Sequence, residues 1–134
     1  MRIDRRDFTL MSGAAVVAAV VPGCATLSGS SKMYGLIGKM TAKPGQRRAV
    51  VQRLLESGRV FDDNAACLLY LVTEPVDSPD DIWVIDLWTT QEEHTKALEA
   101  PEMQPYIAAT MPLLEGTPHQ IEVVALGGKG LPES

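Results

Sequence analysis

Between Ile82 and Trp88 the chain reads IWVIDLW, a strand-like run that is apolar on both faces. With a side-chain period of two, Ile82 and Val84 share a face with Asp86 and Trp88, while Trp83, Ile85 and Leu87 occupy the other. The stretch from Cys67 to Val76, CLLYLVTEPV, has the same character, with Leu68, Tyr70 and Val72 opposing Leu69 and Leu71. An antiparallel sheet with one face in water alternates apolar and polar residues. A chain built on such strands must therefore cover its sheet on both sides.

The remaining elements follow from periodicity and punctuation. Met33 to Ala42 predicts a first strand, ended by Pro44-Gly45. From Gln46 to about Val60, Ala49, Val50, Leu54 and Leu55 recur at helical spacing opposite Arg47, Gln52, Arg53 and Glu56, and Gly58 marks the helix end. A polar turn, Asp62-Asp63-Asn64, precedes the strand from Cys67, which Pro75 stops. The third strand spans Ile82 to Thr89, and Thr90-Gln91-Glu92-Glu93 forms a capping box that starts a second helix at Gln91. Proline breaks that helix at Ala100-Pro101. A further helical segment runs from Glu102 to Leu114, Gly116-Thr117-Pro118 ends it, and HQIEVVAL, His119 to Leu126, is the last strand.

The order β-α-β-β-α-β predicts an α+β, ferredoxin-like fold: a four-stranded antiparallel sheet with both helices on one face. The helices leave the other face bare. A second copy of the sheet, closing a barrel across a two-fold axis, is the economical cover, so a homodimer is expected.

With 134 residues and a net charge of −5, the chain fits one domain and offers no nucleic-acid surface, its only compact basic clusters being Arg5-Arg6 and Arg47-Arg48. Residues 1–32 differ from the rest: a charged start, an apolar run from Gly13 to Val21, then Pro22-Gly23-Cys24 and a Ser/Gly-rich tether. This is the layout of an export signal, with an apolar run too short to span a bilayer. Arg5-Arg6-Asp7-Phe8 with Leu10 resembles a twin-arginine signal, with Asp4 where that signal usually has Ser or Thr. Val21-Pro22-Gly23-Cys24 resembles a lipobox, which implies lipidation on Cys24; ordinary cleavage after Gly23-Cys24-Ala25 is the alternative. The expected location is periplasmic, either soluble or membrane-anchored through Cys24. Residues 33–126 form the domain proper, and residues 127–134 a flexible Gly-rich tail.

Asp86 is the informative residue of the opening stretch, because a carboxylate among apolar neighbours is costly unless paired, and burial raises its pKa. A salt bridge or backbone-capping contact, to Lys39 or to an arginine of the other subunit, is the plain alternative. His94, four residues into the second helix on the side of Ala97 and Leu98, should turn toward the sheet, where a neutral imidazole can accept a proton. Trp88 shares the face of Asp86, either as a core aromatic or as a pocket wall, and Tyr70 and Tyr34 are weighed in the same way. Cys67 reads as a small buried apolar residue. No metal site is indicated, since His94 and His119 lie in different elements, and no Gly-rich loop precedes a helix.

The chain resembles the antibiotic biosynthesis monooxygenase family, also described as quinol monooxygenases, within the dimeric α+β barrel group. The resemblance rests on Tyr34-Gly-Leu-Ile-Gly-Lys-Met-Thr-Ala, Lys43-Pro44-Gly45-Gln46, Cys67-Leu-Leu-Tyr70, Asp81-Ile-Trp-Val-Ile-Asp-Leu-Trp88, and Glu93-His94 with Ala97-Leu98. It spans nearly all of residues 33–126, and it implies oxidation of a quinol or aromatic polyketide-like phenol by O2 with no cofactor. His94 would be the base, Asp86 an orienting catalytic group, and Trp88 and Tyr70 substrate-binding walls; the family commonly has glutamate where Asp86 stands. Haem-degrading relatives carry an asparagine on the first strand, whereas the only asparagine here is Asn64, in a loop. Because one fold hosts many functions, a non-catalytic dimeric module that binds a small molecule or serves a stress response is the second reading.

Overall fold

The computed structural model describes residues 32–132; the expectations for Arg5, Arg6 and Cys24 lie outside the described residues. Four strands form one antiparallel sheet: β1 (Met33–Thr41), β2 (Cys67–Thr73), β3 (Asp81–Trp88) and β4 (His119–Ala125), in the order β2-β3-β1-β4. The described residues also hold three α-helices: α1 (Arg47–Gly58), α2 (Gln91–Glu99) and α3 (Gln104–Thr110). The expected ferredoxin-like α+β arrangement is therefore present, with the last helical stretch split into α3 and a short 3-10 turn, Met111–Leu113.

Local chemistry sets the boundaries. β2 ends at Thr73, three residues short of the expected Val76, as the chain approaches Pro75. β3 starts one residue early because the Asp81 carboxylate accepts from Thr41 Oγ1 at 2.6 Å and meets Lys39 Nζ at 2.9 Å. These partners, the Thr41 hydroxyl foremost, lower the pKa of Asp81 to about 2. They also engage Lys39, which removes it as the ion-pair partner of Asp86. Half of the capping box forms: Thr90 Oγ1 accepts from the Glu93 amide at 3.2 Å, while the Glu93 carboxylate turns to Lys96 Nζ at 3.2 Å. α2 stops where Ala100 becomes extended ahead of Pro101, as expected.

Arg47 ties the start of α1 to the β2–β3 loop through Ser78 O at 2.6 Å and Glu74 at 3.3 Å. At the other end Gly58 lies against the Tyr70 ring; a Cβ there would sit 2.8 Å from two ring carbons, so the glycine that ends the helix also seats the tyrosine. The helices cover the sheet face carrying Ile82, Val84, Asp86 and Trp88. Two apolar clusters pack on it, one around Val50, Leu54, Ile82 and Leu114, the other around Phe61, Trp88, Ala97 and Met103. Tyr70 touches both, and Asp86 lies between Val84 and Trp88.

The second face, with Ile37, Leu69, Leu71, Ile85, Leu87 and Ile121, is apolar but half open: Leu71 is 42% and Ile121 46% exposed. No helix among the described residues packs on it.

Candidate functional site

Asp86, His94 and Trp88 reach one place from two elements joined by a tight corner. Asp86 is centred in the sheet, with Leu36 of β1 and Tyr70 of β2 as its cross-strand neighbours. Trp88 follows two residues later on the same face, and the turn at Thr89-Thr90 brings α2 back so that His94 lies over both. The indole is fully buried, its ring centroid 5.6 Å from His94 and 5.1 Å from Phe61, edge-on to each. Tyr34 closes the imidazole from the other side at 5.2 Å, its hydroxyl donating to Glu122 Oε1 at 3.0 Å, where Gln91 Nε2 also donates at 3.3 Å.

Asp86 and His94 are 7% and 6% exposed. Their nearest atoms, Oδ2 and Nε2, stand 3.9 Å apart, within ion-pair reach if the imidazole is protonated and too far for a hydrogen bond. Asp86 Oδ1, Trp88 Nε1 and His94 Nε2 are all buried and without a hydrogen-bond partner. Each such atom costs about 1–3 kcal/mol if nothing meets it, and three within one group of neighbouring side chains call for an explanation. They border a cavity of about 230 Å³ between sheet and helices, whose walls are otherwise chiefly apolar: Leu36, Leu54, Val84, Leu98, Met103 and Leu114.

Burial sets the protonation states. Desolvation raises the Asp86 pKa to about 6; the nearby Trp88 indole N–H and the Leu36 amide offset part of that rise, although the indole makes no hydrogen bond of full geometry. Desolvation lowers the His94 pKa, with the Glu122 carboxylate acting in the opposite sense. Near neutral pH the cavity therefore holds an ionised carboxylate beside a neutral imidazole. Tyr70 lines the cavity with its ring, since its hydroxyl donates to Leu54 O at 3.3 Å beside Ser57 Oγ at 3.5 Å. Burial raises that hydroxyl's pKa.

The four residues singled out from sequence, His94, Asp86, Trp88 and Tyr70, thus border one cavity, with Tyr34 just behind His94. Trp88 joins two expectations that were alternatives, being both core aromatic and cavity wall. Sequence reasoning missed the wall supplied by Met103, Tyr106 and Thr110, and Gly38 in β1. Helical spacing could have offered Tyr106 and Thr110 as one face, but not which cavity they serve. Among the described residues no group of three His, Cys, Asp or Glu side chains converges to hold a metal ion.

The sequence profile described as antibiotic biosynthesis monooxygenase matches residues 33–109. A candidate antibiotic biosynthesis monooxygenase from Chloroflexus aurantiacus is 39% identical, covering 75% of this chain and 99% of its own, with a TM-score of 0.67. Two more distant structures share the fold. One, from Caulobacter crescentus, carries the same description at 17% identity, 72% and 92% coverage and TM-score 0.68. The other is a single-substitution variant of SnoaB, a cofactor-independent oxygenase from Streptomyces nogalater, at 18% identity, 76% and 99% coverage and TM-score 0.64. No curated protein matches the chain. By profile and by the Chloroflexus likeness, the chain belongs to the antibiotic biosynthesis monooxygenase family.

Proposed function

We propose that the protein is a monooxygenase that oxidises a quinol or an aromatic polyketide-like phenol with O2, the substrate supplying the electrons. The observation that carries this reading is the set of three buried, unpartnered polar atoms, Asp86 Oδ1, Trp88 Nε1 and His94 Nε2, bordering one chiefly apolar cavity. A phenol satisfies such a set, its ring against Tyr70 and Trp88 and its hydroxyl donating to His94 Nε2 when Nδ1 carries the imidazole proton.

His94 then takes the phenolic proton, and the Asp86 carboxylate, 3.9 Å away, stabilises the imidazolium that results. The electron-rich phenolate reduces O2 and joins it through a ring carbon as a peroxide; the O–O bond breaks, one oxygen remains on the ring and the other leaves as water. For a quinol the balance is quinol plus O2 giving hydroxyquinone plus water. The apolar walls keep bulk water away from the phenolate and strengthen the Asp86 field. SnoaB, an oxygenase described as cofactor-independent, supports this route through its fold alone.

The second sheet face and the N-terminal region complete the proposal: a homodimer joined through the Ile37, Leu71, Ile85 and Ile121 surface, exported and either periplasmic or anchored through Cys24. Replacing Arg5-Arg6 by Lys-Lys should hold the precursor in the cytoplasm. Oxygen uptake with a panel of reduced quinones tests the chemistry: turnover in the wild type, and loss by about 10²-fold or more in the His94→Ala, Asp86→Ala double variant. Tight binding without any oxygen uptake would instead favour the non-catalytic binding module.

A further inference from the structure

β1 contains two glycines in its interior, where glycine weakens a strand, and the structure treats them differently. A Cβ on Gly35 would lie 2.6 Å from Leu87 Cδ2 and 2.8 Å from Val123 Cγ2, so its absence is filled by neighbours packed across the strand. Gly38 is also buried, yet the nearest atoms to a Cβ there are Val84 O at 3.9 Å and Gln120 Cγ at 4.0 Å. Nothing occupies the room it leaves, and that room is part of the cavity. Its backbone has no positive φ that would demand glycine. The missing side chain therefore serves an open space.

The space has a direction. Gly38 lies one inward-facing step along β1 from Leu36, which pairs with Asp86, so the empty stretch starts beside the polar group and extends about 6.8 Å along the strand. Beyond it the cavity lining becomes exposed at Ile107, Met111 and Gln120, which frame an opening between α3 with its following turn and the edge strand β4. Ile107 and Met111 are 37% and 48% exposed, so the helical side of the rim is apolar, facing Gln120 on β4. At about 230 Å³ the cavity falls below the roughly 300–1,000 Å³ of drug-sized ligand sites, which is small for a broad polycyclic ring system.

We propose that Gly38 is a specificity-determining residue and that the substrate is a single-ring phenol or quinol bearing an apolar chain. The ring lies at Asp86, His94 and Trp88, and the chain runs over Gly38 and leaves between Met111 and Gln120. This deepens the functional reading above and rests on it for the phenolic head alone.

Binding, measured separately from turnover, tests it. Under nitrogen, phenol and its 4-ethyl, 4-butyl and 4-hexyl derivatives are titrated while Trp88 fluorescence is followed in a Trp83→Phe background. Affinity should rise about two- to fourfold per methylene until the chain emerges. In Gly38→Val the chain-length gain should disappear while phenol itself binds within about threefold of wild type, and Gly38→Ala should lose part of the gain. Both variants should keep or raise Tm, because a side chain favours the strand over glycine. Affinity independent of chain length in the wild type, or a gain that survives in both variants, overturns the proposal. Loss of phenol binding in parallel with hexylphenol binding overturns it too. A chain-length gain without any oxygen uptake leaves this inference standing and removes the monooxygenase reading; oxygen uptake with alkyl quinols but no chain-length gain does the reverse.

Discussion

The two faces of β3 carry similar apolar residues to opposite ends. On one, Ile82, Val84, Asp86 and Trp88 are all buried under the chain's own helices, and the packing still leaves a void and three polar atoms without partners. On the other, Trp83, Ile85 and Leu87 stay half open, and the packing is so close that Gly35 admits no Cβ. The inner face presents unpaired polar atoms to a cavity; the outer face presents apolar side chains that no helix among the described residues covers. Alternation makes both faces look like core in sequence, and what remains unsatisfied distinguishes them.

Charge placed on each face should separate them most sharply. Ile85 pairs with Ile37 and Leu71 at the middle of the outer face, so Ile85→Asp should leave a folded monomer where the wild type sediments as the proposed dimer. An unpaired carboxylate buried in that interface would cost several kcal/mol. A variant that stays dimeric at micromolar concentration would remove the outer face from the interface.

Asp86→Asn probes the inner face at a slightly smaller scale. The folded pKa of Asp86, about 6, lies above its ordinary value of 3.8, so its contribution is fully present below about pH 4 and is lost as pH rises through 6. That amounts to about 3 kcal/mol at most by pH 8. His94 has the opposite sign, its lowered pKa making the fold less stable as pH falls below about 6.5. Between pH 4 and pH 8 the urea midpoint of Asp86→Asn should therefore gain relative to that of the wild type, the variant being favoured at the alkaline end. The same pH dependence in both proteins would mean that Asp86 is not held in a desolvated site.

The glycines give a finer contrast. Gly35→Ala should destabilise the domain by about 1–3 kcal/mol through overpacking against Leu87 and Val123, whereas Gly38→Ala should not. Thr90→Ala, which removes the cap of the helix carrying His94, should cost about 1 kcal/mol in thermal unfolding.

Much of this arrangement was legible in the sequence because it rests on periods and punctuation. Period two placed Asp86 with Trp88 and removed Trp83 from the site; helical spacing turned His94 toward the sheet; Thr90 and Pro101 bounded its helix. Relations between distant segments were not legible. That Lys39 belongs to Asp81, that the Tyr70 hydroxyl is engaged by the α1 backbone, and that Met103 and Met111 complete a wall depend on packing no local pattern records. Gly38 was the least visible, since a glycine that leaves a space and a glycine that is filled look identical in a strand.

The central claim is that an ionised Asp86 and a neutral His94 act together on a phenolic proton inside the cavity. Its most direct test is kcat/KM for oxygen uptake with an alkyl quinol between pH 4.5 and 8. Both groups are in the required state only above their folded pKa values, so activity should rise through a transition near pH 6 that Asp86→Asn removes or displaces. A profile that is flat across that range, or that falls as pH increases through 6, would contradict the account.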